Sequence, residues 1–221
     1  RQKFFWWVKH IGDEVSSHFE ARKKLSLNLR LKYALAYRIV YQPLRRALGG
    51  RLRWLVASGA PTAVDILRFF HAARIMVIEG YGLTESTAPA TLSRLDDYRL
   101  GTVGKPLPGL RIRLAEDGEI LIRGDTICLG YWNKPEETKE LFTEDGFLRT
   151  GDIGQWSPEG YLTIVDRKKE MILTSTGKLI SPQRIENRFL NDPLFNQVVV
   201  LGEGRPYLTA LVHLNLEQAK P

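Results

Sequence analysis

The sequence predicts an α/β protein in three stretches: part of a parallel-sheet α/β subdomain, a run of antiparallel strands, and the start of a small α+β domain. Three observations predict it. A strand-loop-helix-strand unit occupies residues 52–85, and such a crossover joins parallel neighbours. From Gly101 onward, short apolar runs alternate with turn residues every eight to twelve positions or about that, the signature of hairpins. From Glu170 the pattern becomes strand, helix, strand, strand.

In chain order, Leu27, Leu31, Leu35 and Ile39 recur at every fourth position while Arg30, Lys32, Arg38, Arg45 and Arg46 fall largely elsewhere. That spacing predicts one amphipathic helix from about Leu27 to Leu48, bent at Pro43. Leu52 to Ala57 reads as a strand ending in Ser58-Gly59-Ala60-Pro61. Thr62 is placed to cap a helix whose Val64, Leu67, Phe70 and His71 share a face. Ile75 to Ile78 is a buried strand that delivers Glu79-Gly80-Tyr81-Gly82-Leu83-Thr84-Glu85 into one tight loop. The right-handed crossover brings that loop and Ser58 to Pro61 out on the same sheet edge, where ligands of open parallel sheets bind. The loop's contents suit a nucleotide. Gly80 and Gly82 allow close backbone approach, Tyr81 offers a stacking face, Thr84 a donor, and Glu85 a metal-seeking oxygen. The plainer reading is a glycine-rich turn with a capping Thr and a solvated Glu.

Two hairpins follow: Leu110–Leu114 with Glu119–Ile122 around Glu116-Asp117-Gly118, and Asp152–Trp156 with Tyr161–Val165 around Ser157-Pro158-Glu159-Gly160. Both carry tight-turn residues. Between them Pro135 to Leu141 reads as a helix with Asn133 available as a cap. Tyr131 and Trp132 have two readings, base-stacking groups or, more commonly for an aromatic pair in a β-rich core, packing. Thr150-Gly151-Asp152 ends the run Phe147-Leu148-Arg149 and sets a short carboxylate beside a flexible glycine; a carboxylate accepts from two vicinal hydroxyls at once, and an Asp also caps turns. Beyond Glu170 come a strand at Met171–Leu173, a helix from Pro182 to about Leu190, and strands at Gln197–Leu201 and Leu208–Leu214.

With 221 residues, 43% of them hydrophobic, the chain can bury a core, and two domains are expected. No run of 18 apolar residues exists, and Phe4-Phe5-Trp6-Trp7-Val8 is too short for a signal peptide. Cys128 is the one cysteine, which excludes an internal disulfide framework, suits a reducing cytosol, and reads as a buried small hydrophobe. Residues 1–53 hold 13 Lys or Arg against 3 Asp or Glu, a net of +10 that leaves −3 for the rest of the +7 total.

Here the chain resembles the adenylate-forming, AMP-producing ligases, and among them the long-chain fatty acyl-CoA synthetases. Ser58-Gly59-Ala60-Pro61, Tyr81-Gly82-Leu83-Thr84-Glu85, Gly118-Glu119-Ile120-Leu121-Ile122-Arg123-Gly124, Gly130-Tyr131-Trp132, Thr150-Gly151-Asp152 and Asp166-Arg167-Lys168-Lys169-Glu170 stand in the family's order and at about its spacing. Asp166 to Lys169 followed by Thr174 to Pro182 suggests the long-chain branch, with Thr176 and Leu179 where its usual pattern has Gly and Asn.

The resemblance implies ATP, Mg²⁺ and coenzyme A as cofactor and co-substrates, and a fatty acid as substrate. Tyr81 would stack on adenine with Gly59, Ala60 and Pro61 as the opposite wall. Thr84 would donate to phosphate oxygens and Glu85 would hold Mg²⁺. Asp152 would take the ribose hydroxyls and Arg167 ribose and phosphate oxygens, so that Tyr81, Glu85 and Asp152 gather around one AMP. Lys169 would be the hinge on which the small domain swings. It divides the chain into the latter part of the α/β sheet with a basic helical front (1–100), a distorted antiparallel β-barrel subdomain (101–165), the hinge (166–169) and the first part of the C-terminal α+β domain (170–221).

The family's Ser/Thr/Gly-rich phosphate loop and its late catalytic lysine have no counterpart here. Thr174 to Lys178 lacks the leading glycine and the Ser or Thr after Lys178 that a phosphate loop needs. The chain therefore reads as a piece of a larger enzyme, inactive alone, with the remainder as its partner. Three readings stand for its basic front: packing on that remainder, a membrane-surface role that would make a cytoplasmic enzyme peripheral at the inner membrane surface, and nucleic-acid binding, for which no recognition module is present. The alternatives for the whole are another adenylate-forming enzyme (aryl-CoA ligase, luciferase-like, or peptide-synthetase adenylation domain) and a non-catalytic lipid-surface module.

Overall fold

A computed structural model describes residues 2–190 and 192–218. The chain divides into two compact units. The first takes residues up to Ile112 together with Ile122–Glu140 and Trp156–Thr163; the second takes Arg113–Leu121, Leu141–Gln155 and the residues from Ile164 onward.

The first unit begins with helix α1 (Gln2–Glu20), which the sequence reading does not include. Its Val8, Ile11 and Val15 follow helical spacing and are buried, joining Leu29, Tyr33, Ala36, Tyr41, Ala72, Ala73 and Ile75 in one core. Ser26 caps α2 (Leu27–Ala36) by accepting from Leu29 N–H. The bend expected at Pro43 appears as a wider turn over Tyr37–Tyr41, where Gln42 N–H reaches the Tyr37 carbonyl, before α3 (Gln42–Ala47). Pro43 cannot donate, so the helix loosens just ahead of it.

The periodic leucines are not the core face of this helix. Leu27, Leu31, Leu35 and Ile39 are 74, 67, 52 and 48% exposed, while Leu29, Tyr33, Ala36 and Tyr41 are buried. Tyr33 explains the choice: its ring packs edge-on to Phe19 and its hydroxyl donates to the Ala72 carbonyl at 2.6 Å. An aromatic with a satisfied polar tip outcompetes a leucine stripe for the interior.

Strand β1 (Trp54–Ala57) leads through the Ser58–Pro61 loop to α4 (Val64–Ala72) and then β2 (Met76–Leu83). Ala63, not Thr62, precedes α4, and no side chain caps it. β1 and β2 are parallel, with Ala57 opposite Glu79. The sheet is mixed, because β2 pairs antiparallel with β3 (Ala88–Leu92), and β3 likewise with β4 (Lys105–Pro106). β2 runs on through Gly80-Tyr81-Gly82, which corrects the expected loop: these residues lie in the strand, and the turn comes only at Thr84–Ser86. Gly80 makes this possible, since a Cβ there would sit 2.9 Å from Leu92 Cδ1 and 3.2 Å from the Thr91 carbonyl oxygen.

Four strands, β5 (Arg111–Leu114), β6 (Glu119–Arg123), β7 (Leu148–Trp156) and β8 (Leu162–Arg167), form an antiparallel half-barrel sheet in sequence order. Its hairpin turns fall at the expected residues, with Ala115 N–H bonded to Glu119 and Ser157 N–H to Tyr161. Helix α5 (Pro135–Leu141), assigned to the first unit up to Glu140, follows Lys134 rather than the cap expected at Asn133. In the second unit, β9 (Ile172–Leu173) pairs with β10 (Leu179–Ile180), and α6 (Pro182–Leu190) packs beside the hairpin of β11 (Phe195–Leu201) and β12 (Thr209–Leu214).

Candidate functional site

Within the first unit, the parallel pairing of β1 and β2 fixes where the two glycine-bearing segments emerge. Ser58 follows Ala57, whose register partner is Glu79, so Ser58–Pro61 leaves β1 at the same end at which β2 runs on past it through Tyr81 to the turn at Thr84 and Glu85. Ser58, Gly59, Ala60 and Pro61 are exposed, and Gly59 adopts a φ of +87°, the left-handed region that glycine tolerates. Glu79 joins the two segments. Its buried carboxylate accepts from the Thr62 backbone N–H and, through Oε2, from Gly101 N–H at 3.2 Å. Burial pushes its carboxyl up to about 7 against those two hydrogen bonds.

Tyr81 is buried, and Gly82 beside it is half-buried at a register shift between β2 and β3. Thr84 is exposed at the start of the 3₁₀ turn that Ser86 closes by accepting from Leu83 N–H at 3.0 Å. Glu85 is half-buried, its carbonyl takes Cys128 N–H at 2.8 Å, and its Oε1 accepts from the Tyr131 hydroxyl at 2.6 Å. That bond to a carboxylate holds the Tyr131 hydroxyl up at about 12. Tyr131 and Trp132 do not pack in a β core as the sequence suggests: Trp132 is 90% exposed, and Tyr131 serves as the partner of Glu85. The motif Gly130-Tyr131-Trp132 is visible in the sequence, but its spacing carries no sign of the bond to Glu85. Cys128 is half-buried rather than fully buried.

In the second unit, Asp152 is buried in β7, and its Oδ1 lies 2.8 Å from Nε of Arg167, at the end of β8. The strand continues through Thr150-Gly151-Asp152 instead of ending there, with Gly151 at a φ of +69°. Thr150 Oγ1 donates to the Ile120 carbonyl at 2.8 Å and accepts from Asp152 N–H at 3.1 Å, which fixes the Asp152 backbone. Lys169 is exposed in a 3₁₀ turn over Lys168–Glu170. Sequence reasoning missed Glu119 and Lys168, which meet at 2.8 Å beside this pair.

Each half of the set thus has a chemistry of its own. The first offers a tyrosine ring, exposed backbone at a glycine loop, and a carboxylate with one oxygen engaged. The second offers a desolvated carboxylate paired with a guanidinium whose fork suits sugar and phosphate oxygens. Among the described residues no three His, Cys, Asp or Glu side chains form a metal cluster.

Residues 15–132 match the profile of AMP-binding enzymes, and residues 169–220 match that of the AMP-binding enzyme C-terminal domain. Over 191 residues the chain is 43% identical to long-chain-fatty-acid–CoA ligase FadD15 of Mycobacterium bovis, covering 86% of this chain and 32% of that protein. ATP-bound MatB from Rhodopseudomonas palustris aligns with a TM-score of 0.68 and 29% identity, over 82% of this chain and 40% of that one. O-succinylbenzoate coenzyme A synthetase from Bacillus subtilis, in complex with ATP and magnesium ion, aligns with a TM-score of 0.65 and 25% identity, over 78% and 40%. The chain spans about a third of the length of the curated relatives it matches.

Proposed function

Because the chain belongs to the family of AMP-binding enzymes, we propose that it forms part of a long-chain-fatty-acid–CoA ligase. The fatty acid carboxylate attacks the α-phosphorus of ATP, giving acyl-AMP and pyrophosphate; the CoA thiol then attacks the acyl carbon and AMP leaves. The observation that carries this reading is that Ser58–Pro61 leaves β1 at the end at which β2 runs on through Tyr81 to Thr84 and Glu85, the two segments being tied by Glu79.

In this chemistry the protein positions and neutralises. Gly59, Ala60 and Pro61 form one wall for adenine and Tyr81 the stacking face, while Gly80 and Gly82 keep the strand close. Thr84 donates to phosphate oxygens in a preorganised site. Asp152 accepts from the ribose hydroxyls, and Arg167 shifts between Asp152 and the nucleotide's oxygens. Glu85 is the residue to hold Mg²⁺: this ion takes one or two carboxylates with substrate phosphates and waters, and a carboxylate with Oε1 on Tyr131 keeps a second oxygen for that role. When bound, the ion offsets charge on the phosphates. Lys169 is the hinge, set in an exposed turn where backbone rotation breaks no strand.

In the whole ligase, Glu85→Ala is expected to slow pyrophosphate release about a hundredfold or more. Near-normal release removes Glu85 from the chemistry.

A second role at a lipid surface is favoured by one observation. The exposed face of Leu27, Leu31, Leu35 and Ile39 is bordered by exposed Arg30, Lys32 and Arg38, the arrangement that lies at an anionic membrane surface. It would place a cytoplasmic enzyme peripherally at the inner membrane surface, beside a substrate that partitions into lipid.

A further inference from the structure

Glu119 opens β6 and is 4% exposed, yet it makes three polar contacts. Oε1 accepts from Gly151 N–H at 3.0 Å. Oε2 lies 2.8 Å from Lys168 Nζ and 3.9 Å from Arg149 Nη1. The placement of these partners matters more than their number. Gly151 immediately precedes Asp152 and Lys168 immediately follows Arg167, so one carboxylate holds the neighbours of both members of the 2.8 Å Asp152–Arg167 pair. The Gly151 φ of +69° shows what is being held: a peptide in a conformation other residues avoid, in mid-strand. A buried carboxylate costs several kcal/mol unless paired, so a purely space-filling position on β6 has no use for one. Here the charge is matched by ammonium, guanidinium and amide groups.

We propose that Glu119 is a positioning residue for the nucleotide's ribose: it fixes the Gly151 peptide and the Arg167–Lys168 segment so that Asp152 and Arg167 stay in mutual reach. It touches no substrate. The inference rests on the ribose role given above to Asp152 and Arg167. Asp117 shares Lys168 at 2.6 Å but is half exposed, and its other bonds are local, to the backbone N–H groups of Glu119 and of Asp117 itself, so it steadies Lys168 without reaching Gly151.

The test uses this 221-residue chain with E119Q, E119A and D117N variants, followed by NMR and titrated with AMP. Glutamine keeps an acceptor for Gly151 N–H and loses the charge that holds Lys168; alanine loses both. In E119A, Gly151 N–H should exchange at least about tenfold faster and the Arg167 Nε–H signal should move to its solvent-exposed position. E119Q should keep Gly151 protected and still move the Arg167 signal. AMP affinity should fall at least about fivefold in both and less than about twofold in D117N, in line with one lost charge contact. A merely structural role would lower the melting temperature and leave the Arg167 signal in place. Should E119A fail to fold, the Arg167 signal in E119Q decides. Variants with wild-type Gly151 and Arg167 signals overturn the proposal. A wild-type chain in which AMP shifts no resonance sinks the nucleotide reading instead, while Gly151 and Arg167 still decide what Glu119 holds in place.

Discussion

At the residue scale, Glu79 shows how a single carboxyl links fold to site. It sits at 8% exposure between β1's exit loop and the Gly101 turn, and burial raises its carboxyl from 4.5 to about 7. Between those values the folded protein keeps the proton and the unfolded chain has lost it. Its contribution to stability is therefore complete below about pH 4.5 and is lost as the pH rises through about 7, a change on the order of 3 kcal/mol. Urea midpoints measured from pH 4.5 to 8 should fall with pH in the wild type, and Glu79→Gln should flatten that slope. An unchanged slope in the variant assigns the pH dependence elsewhere. The sequence drew attention to the residues around Glu79, since Tyr81, Thr84 and Glu85 form a recognisable group, but not to Glu79. Desolvation of one carboxyl depends on what covers it, and residues 62 and 101 are far from it in the chain. Tyr131 is the same case: its motif was legible, and its bond to Glu85 46 positions away was not.

At the element scale, hairpin turns and α6 were legible because their signals are local: Asp-Gly and Pro-Glu-Gly turns, and Pro at the first helical position. α1 is equally legible in Val8, Ile11 and Val15, which recur at helical spacing and are buried. Along Leu27 to Tyr41 the periodic stripe of Leu27, Leu31, Leu35 and Ile39 stays exposed, while the core takes the tyrosines Tyr33 and Tyr41. α1 meets that tyrosine cluster closely at one point. A Cβ on Gly12 would lie 2.2 Å from the Tyr41 hydroxyl, and Tyr41 is fully buried against Tyr33, Tyr37 and Phe69. Gly12→Ala should destabilise the first unit by about 1–3 kcal/mol, read by urea denaturation. Adding Tyr41→Phe, which removes the colliding hydroxyl, should return part of that loss; full stability in the single variant would show that the helix shifts freely.

At the scale of the whole molecule, charge is divided along the chain, with +10 in residues 1–53 and −3 in the rest. The chain should float with phosphatidylglycerol vesicles at low salt and not with phosphatidylcholine, and Leu31→Asp should weaken binding about tenfold. Absence of flotation with anionic lipid removes the membrane-surface role. Composition and local spacing by themselves determined the α/β class, the parallel β1–β2 unit, the antiparallel hairpins and the family, because these rest on interactions between near neighbours and on motifs that survive in linear order. Only the tertiary structure decided that β2 runs through the glycines, that the leucine stripe faces outward, that Tyr131 engages Glu85, and that Glu119 holds the neighbours of Asp152 and Arg167. Those outcomes depend on which groups compete for the interior and which charges are desolvated together, and that competition is settled between residues dozens of positions apart.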